Sequence, residues 1–244
     1  MESKVLYRLL EEKGMRLKGG LYHMTQVAMA YNSNRIEGSR LTEEQTRHIY
    51  ETNTVLAEGE EPLRVDDIVE TINHFRCFDY MLDHAHEELN QDMIKEFHRL
   101  LKTGTSDEKK EWFKTGEYKL RPNVVGDCKT VAPSKVNDEM GRLLTGYQNQ
   151  RKIIFDDIID FHHRFECIHP FQDCNGRVGR IILFKECLKN NILPFIIDER
   201  HKLYYYRGLK EYEQEKGFLM DTCLSAQDAY EKVAEYFFQT DEME

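Results

Sequence analysis

Apolar residues recur at three- and four-residue spacing along most of the chain, and Gly and Pro are sparse, so the pattern predicts helices. Residues 65–89, VDDIVETINHFRCFDYMLDHAHEEL, align Val65, Ile68, Val69, Ile72, Phe75, Cys77, Phe78 and Leu82 as one long amphipathic helix. NQDMIKEFHRLLKTG gathers Met93, Ile94, Phe97, Leu100 and Leu101 on one face, with Asn90 as N-cap and Gly104 beyond the end. LTEEQTRHIYETN carries Thr42 with Gln45 three residues on, a capping box. Residues 22–37, YHMTQVAMAYNSNRIE, read as a helix stopped by Gly38. Further helices are expected over 135–150, 156–168, 175–190, 201–216 and 218–239. One segment breaks the habit. In GEYKLRPNVVGDCKTVAPSKV, residues 116–136, β-prone pieces alternate with Pro122-Asn123, Gly126-Asp127 and Pro133, which predicts two short strands around a turn. The acidic stretch 58–62 reads as a loop, and the fold class is mainly α with a small β-hairpin.

Composition narrows the class. The 244 residues are enough to bury a sizeable core, and no run of 18 apolar residues offers a membrane span. Met1-Glu2-Ser3-Lys4 lacks the apolar stretch of a signal peptide. Six scattered cysteines without a C-x-x-C pair favour reduced thiols in a cytoplasmic protein. A net charge of -10 argues against a nucleic-acid backbone as partner.

The chemistry concentrates in HPFQDCNGRVGR, residues 169–180. The core helix before it should end near His169, because Pro170 disfavours the α conformation of its predecessor. A second helix starts at Asn175-Gly176, where free N–H groups and the helix dipole favour an anion. Arg177 and Arg180, three apart on its first turn, would complete a phosphate cradle. His169 can take a proton from a hydroxyl near neutral pH. Asp173 suits Mg²⁺ beside phosphates, and fits a helix N-cap equally. The residues therefore point to a hydroxyl activated by His169 and attacking a bound phosphate. His162, His163, Cys167, His169 and Cys174 crowd together, but their spacing matches no zinc pattern.

The run resembles the signature of Fic-domain proteins, H-P-F-x-[D/E]-G-N-G-R-x-x-R, at every fixed position but one. The resemblance implies a Fic-type helical bundle with a β-hairpin flap ahead of the catalytic helix-loop-helix. It also implies transfer of AMP from ATP to a Ser, Thr or Tyr hydroxyl of a protein, the chain itself included. His169 would be the general base, Phe171 a core anchor and Asp173 the Mg²⁺ ligand. Asn175 and Gly176 would form the anion hole, Arg177 would hold the triphosphate and Arg180 its γ-phosphate end. The departure is Cys174, where the family has glycine. Cysteine adds a side chain but keeps its N–H, so the anion hole can survive if φ there is negative, and a catalytic thiol near a helix N-terminus is the sharper alternative.

Two further segments agree with the resemblance. The hairpin segment, with Asn123, Val124 and Val125, resembles the flap that pairs with an extended piece of the target. YYRGL, Tyr205 to Leu209, resembles a Y-Y-x-A-L piece near the adenine, so Tyr205 and Tyr206 are candidates to line the base. In SNRIEG, Ser33, Glu37 and Gly38 match the inhibitory motif [S/T]-x-x-x-E-[G/N], and Glu37 would pair with Arg180. Residues 1–60 then form an N-terminal helical segment carrying this motif, and 61–244 the Fic core, within one compact unit. Removal of AMP, γ-phosphate transfer, and a nucleotide-sensing regulator with an inactive core stand as alternatives. A homodimer is a further expectation from the resemblance.

Overall fold

The computed structural model describes residues 2–56, 62–125 and 128–241; the acidic stretch 58–61 and the turn Gly126-Asp127 lie outside them. Ten α-helices are described: α1 (Glu2–Met15), α2 (Leu21–Ile36), α3 (Glu43–Thr52), α4 (Val65–Asp83), α5 (Gln91–Lys102), α6 (Pro133–Gln148), α7 (Phe155–Ile168), α8 (Asn175–Lys189), α9 (Lys202–Glu211) and α10 (Gly217–Asp241). The local signals acted where they were read. Thr42 and Gln45 form the reciprocal capping box of α3, and the Asn90 side chain accepts from Met93 N–H to start α5. Gly38 follows α2 at φ +100°, a conformation that only glycine adopts without strain.

Three expectations change. Within the helical segment expected over 1–60, no helix is placed ahead of residue 22, yet α1 buries Val5, Leu6 and Leu9 in the main core. Helix α4 stops at Asp83 rather than near Leu89, because the chain must turn before Asn90 can take the extended conformation of an N-cap. The β-structure is also smaller than expected. Val124–Val125 and Cys128–Lys129 (β1 and β2) pair antiparallel over two rungs, Val124 with Lys129 and Val125 with Cys128. The preceding residues cannot pair as a strand because their polar groups are committed inward. Lys119 N–H donates to the Pro170 carbonyl at 2.8 Å, and the Asn123 amide to the Phe171 carbonyl at 2.9 Å.

Helix α8 is the axis of the fold, contacted by α1, α2, α4, α5 and α7. Arg177 through Leu188 are all buried, as suits a helix with no exposed polar face. The charges this buries are paired: Lys185 Nζ lies 2.8 Å from Glu186 Oε1, and the Tyr147 hydroxyl donates to Glu186 Oε2 at 3.0 Å. One continuous hydrophobic core joins residues from α1 to α10. Gly208 lets α9 lie on α10, since a Cβ there would come within 2.7 Å of the Leu219 backbone. No helix among the described residues is long and apolar enough to cross a membrane.

Candidate functional site

The site forms where α7 ends, the chain loops, and α8 begins. Both edges of that loop are left-handed: His169 sits at φ 51° and Cys174 at φ 69°. Non-glycine residues held there are strained, and such strain gathers at functional sites. The Asn175 side chain braces the loop, accepting from Phe171 N–H at 2.8 Å and donating to the Phe171 carbonyl at 3.0 Å. Its amide is thereby spent, so anion contact here falls to the first N–H groups of α8, which have no carbonyl within the helix. Phe171 is fully buried and stacks on His98, with centroids 4.1 Å apart.

His169 is mostly buried, with Nδ1 3.9 Å from the Glu166 carboxylate. Burial, then the Lys119 charge, pushes its imidazole down to about 4, so it is neutral and able to accept a proton at neutral pH. Glu166, three residues earlier, is pushed up to about 8 by burial. Cys174 is buried, and burial pushes its thiol up to about 12. A thiol so protonated is a poor nucleophile. The positive φ also differs from the negative value on which an unstrained cysteine depended.

The two arginines of α8 each meet a carboxylate from elsewhere in the chain. Arg180 Nη2 lies 2.7 Å from Glu37 Oε1 and donates to the Ser33 carbonyl at 3.0 Å, while Arg180 Nε donates to Ser33 Oγ at 3.0 Å. Ser33 near the end of α2 and Glu37 at its C-cap, four residues apart, both contact Arg180. The Glu37 carboxylate reaches further than Arg180. A Cβ on Gly176 would come within 2.3 Å of Glu37 Oε1 and 2.9 Å of Arg180 Nη1, so both groups converge over the start of α8. Arg180 Nη1 is buried and has no acceptor among the described residues.

Arg177 Nη1 lies 2.7 Å from Glu70 Oε2 on α4, and donates to Asn34 Oδ1 at 3.4 Å. Arg177 Nη2 lies 3.5 Å from Asp173 Oδ2. The same Asp173 oxygen takes a second cation, Lys102 Nζ at 2.9 Å, although the side chain is half exposed. Burial opposes ionisation of Asp173, but the Arg177 and Lys102 charges outweigh it and hold its carboxyl well below the usual carboxylate range. Lys102, itself buried, also reaches Glu70 at 2.8 Å and Asp107 at 2.6 Å.

The remaining sequence candidates separate. Tyr205 is buried behind Arg180, its hydroxyl 2.6 Å from His162 Nε2, so its ring has no open face. Tyr206 is partly exposed, and its hydroxyl donates to the Ile36 carbonyl at 3.4 Å. Asn123 is tied to the 169–175 loop through Phe171, and Val124 is exposed beside it. Of the crowded histidines and cysteines, His163 Nε2 and Cys167 Sγ lie 3.4 Å apart, but among the described residues no group of three or more His, Cys, Asp or Glu is arranged to hold a metal. Glu70, Lys102 and Asp107 join the site without any sequence signal. Lys102 reads as a dipole-compensating lysine at the end of α5, and Glu70 as a solvated residue on the polar face of α4.

Residues 88–186 match the Fic/DOC family. Over 193 residues the chain is 26% identical to protein adenylyltransferase fic-1 of Caenorhabditis briggsae, covering 76% of this chain and 36% of that protein. It is 27% identical over 187 residues to protein adenylyltransferase Fic of Nematostella vectensis, covering 72% of this chain and 41% of that one. The chain therefore spans well under half the length of these curated relatives. A Fic domain containing signaling protein from Bacteroides thetaiotaomicron shares the fold, with a TM-score of 0.73 at 20% identity over 94% of this chain and 92% of that one.

Proposed function

From the premise that the chain carries a Fic domain, we propose that it transfers AMP from ATP to a hydroxyl of a protein target or of itself, and that Glu37 holds it inactive. One observation carries this reading: Glu37 converges with a buried, unpartnered Arg180 nitrogen over Gly176, at the anion-favouring end of α8. A carboxylate in that position stands where a terminal phosphate would go. Displacing it opens a basic pocket between Arg177, Arg180 and the first N–H groups of α8.

His169 then removes the proton from the target hydroxyl, which attacks the α-phosphate; the P–O bond to the β-phosphate breaks and pyrophosphate leaves. The leaving negative charge is held by the arginine pair. Tyr206 is the open aromatic surface for the adenine. Val124 and Val125 offer main-chain edges against which an extended Ser, Thr or Tyr segment of the target could pair. Asp173 is ionised and half exposed, which fits a Mg²⁺ ion that takes few protein ligands and arrives with phosphates. Bound there, Mg²⁺ would offset charge on the phosphate oxygens.

The test uses ATP labelled separately at the α- and γ-phosphates, with lysate as target and mass spectrometry of products. Loss of a charge-assisted contact is worth about 1.5–3 kcal/mol, so Glu37→Gly should raise α-label transfer by roughly 10- to 100-fold. His169→Ala in the same background should abolish it. Transfer of γ-label, or a product that loses AMP, would point to the alternative reactions, and equal signal in both variants would remove the assigned roles.

A further inference from the structure

Lys102 is a buried ammonium at the centre of three carboxylates, and the mechanism above does not use it. Its Nζ lies 2.8 Å from Glu70, 2.6 Å from Asp107 and 2.9 Å from Asp173 Oδ2. A lysine is nearly always exposed, and one this buried holds its place only where paired carboxylates offset its lost hydration. Lys110 shares Asp107 and Arg177 shares the other two, so three cations meet three carboxylates here. Two of them, Glu70 and Asp107, are separate from the catalytic loop and fix the ammonium; the third is the carboxylate assigned to Mg²⁺. Arg177 adds a second cation on the same Asp173 oxygen, and Glu70 in turn holds that arginine.

We propose that Lys102 is a positioning residue that makes metal binding at Asp173 conditional on nucleotide. This rests on the reading of Asp173 as the metal ligand. Without nucleotide, a divalent ion approaching Asp173 meets an ammonium and a guanidinium already seated on its carboxylate, so the free ion gains little there. A triphosphate changes the balance. It draws Arg177 away from Glu70 and Asp173 and adds its own negative oxygens to the site. Lys102 can then lean on the released Glu70 and on Asp107, leaving Asp173 to the metal carried by the phosphates. The lysine is thus a filter that rejects free metal and accepts metal with nucleotide.

Mn²⁺, followed by electron paramagnetic resonance, serves as the probe. Nucleotide-free wild type should bind Mn²⁺ no more tightly than Asp173→Asn, and with a non-hydrolysable ATP analogue the two should differ at least tenfold. Lys102→Gln should gain at least tenfold in Mn²⁺ affinity without nucleotide, the gain should vanish in Lys102→Gln/Asp173→Asn, and Lys102→Arg should behave as wild type. Asp173-dependent Mn²⁺ binding by nucleotide-free wild type would overturn the proposal, and that comparison stands even if Lys102→Gln does not fold. So would an unchanged or weaker affinity in a folded Lys102→Gln. If Asp173→Asn has no effect even with the analogue, the metal assignment fails and the proposal with it, while α-label transfer by Glu37→Gly remains a separate question.

Discussion

At the residue scale, Cys174 is the most instructive side chain. Its left-handed backbone costs about 1–2 kcal/mol relative to glycine, while burial of its small thiol returns about 0.8 kcal/mol. Backbone strain is the larger effect. Cys174→Gly should therefore stabilise the fold by up to about 1 kcal/mol, and Cys174→Ala, which keeps the strain and loses the sulfur, should destabilise it by a similar amount. Urea unfolding gives the order directly; a glycine variant less stable than wild type would show that the buried side chain outweighs the backbone strain. The identity of this residue was plain in the sequence, but its φ was not, because the loop geometry comes from Asn175 bracing Phe171.

At the scale of the element, α2 ends at Glu37, the carboxylate proposed to inhibit, and is itself held by contacts distant from the site. The Tyr22 hydroxyl donates to Asp79 on α4, Gln26 Nε2 donates to the same carboxylate at 2.8 Å, and Thr25 Oγ1 meets the Tyr230 hydroxyl of α10 at 2.9 Å. Asp79→Ala leaves the buried Tyr22 hydroxyl without its acceptor, at a cost of about 1–3 kcal/mol, while Gln26 Nε2 keeps the Tyr22 hydroxyl and the Phe75 carbonyl. It should loosen α2 without touching His169 or the arginines, and so raise AMP transfer several-fold with faster amide exchange in α2. Faster exchange with unchanged transfer would mean that Glu37 stays seated when its helix loosens. The helix, its end at Gly38 and the pairing of Ser33 with Glu37 four residues on were legible from local spacing. The partners that seat it were not. Asp79 and Tyr230 lie 57 and 205 residues away from Tyr22 and Thr25, and no periodicity encodes such pairings. The same holds for Glu70, Lys102 and Asp107, whose meeting depends on how α4, α5 and α8 pack.

For the whole molecule, buried histidines govern the response to acid. His74, His98 and His162 are pushed down to about 3 and His169 to about 4, each mainly by burial. Unfolded histidines take up protons near 6.5, so between about pH 6.5 and 4 the unfolded chain binds more protons than the folded one. Stability should be full above pH 7 and fall through that window, by up to about 1.4 kcal/mol per pH unit for each histidine. Glu166, raised to about 8, and Asp79, also raised by burial, work the other way, but His23 and His163 are lowered too, so six imidazoles oppose two carboxyls. Urea midpoints at pH 7 and pH 5 check the direction; equal midpoints would mean that these imidazoles are protonated in the folded protein. The chain's mainly helical class and the 169–175 loop between two helices could be read from the sequence because both rest on neighbours a few residues apart. The depth at which the histidines lie could not, since it follows from α8 being enclosed on all sides.

The placement of Glu37 on the same chain as Arg180 has a kinetic consequence. A group tethered to its own site acts at an effective concentration of order millimolar or above, whatever the amount of protein present. Dilution cannot release it, and neither can scarcity of a partner. If Glu37 holds the protein inactive as proposed, that resting state is a property of each single molecule, and release follows from moving the end of the helix on which the carboxylate rides.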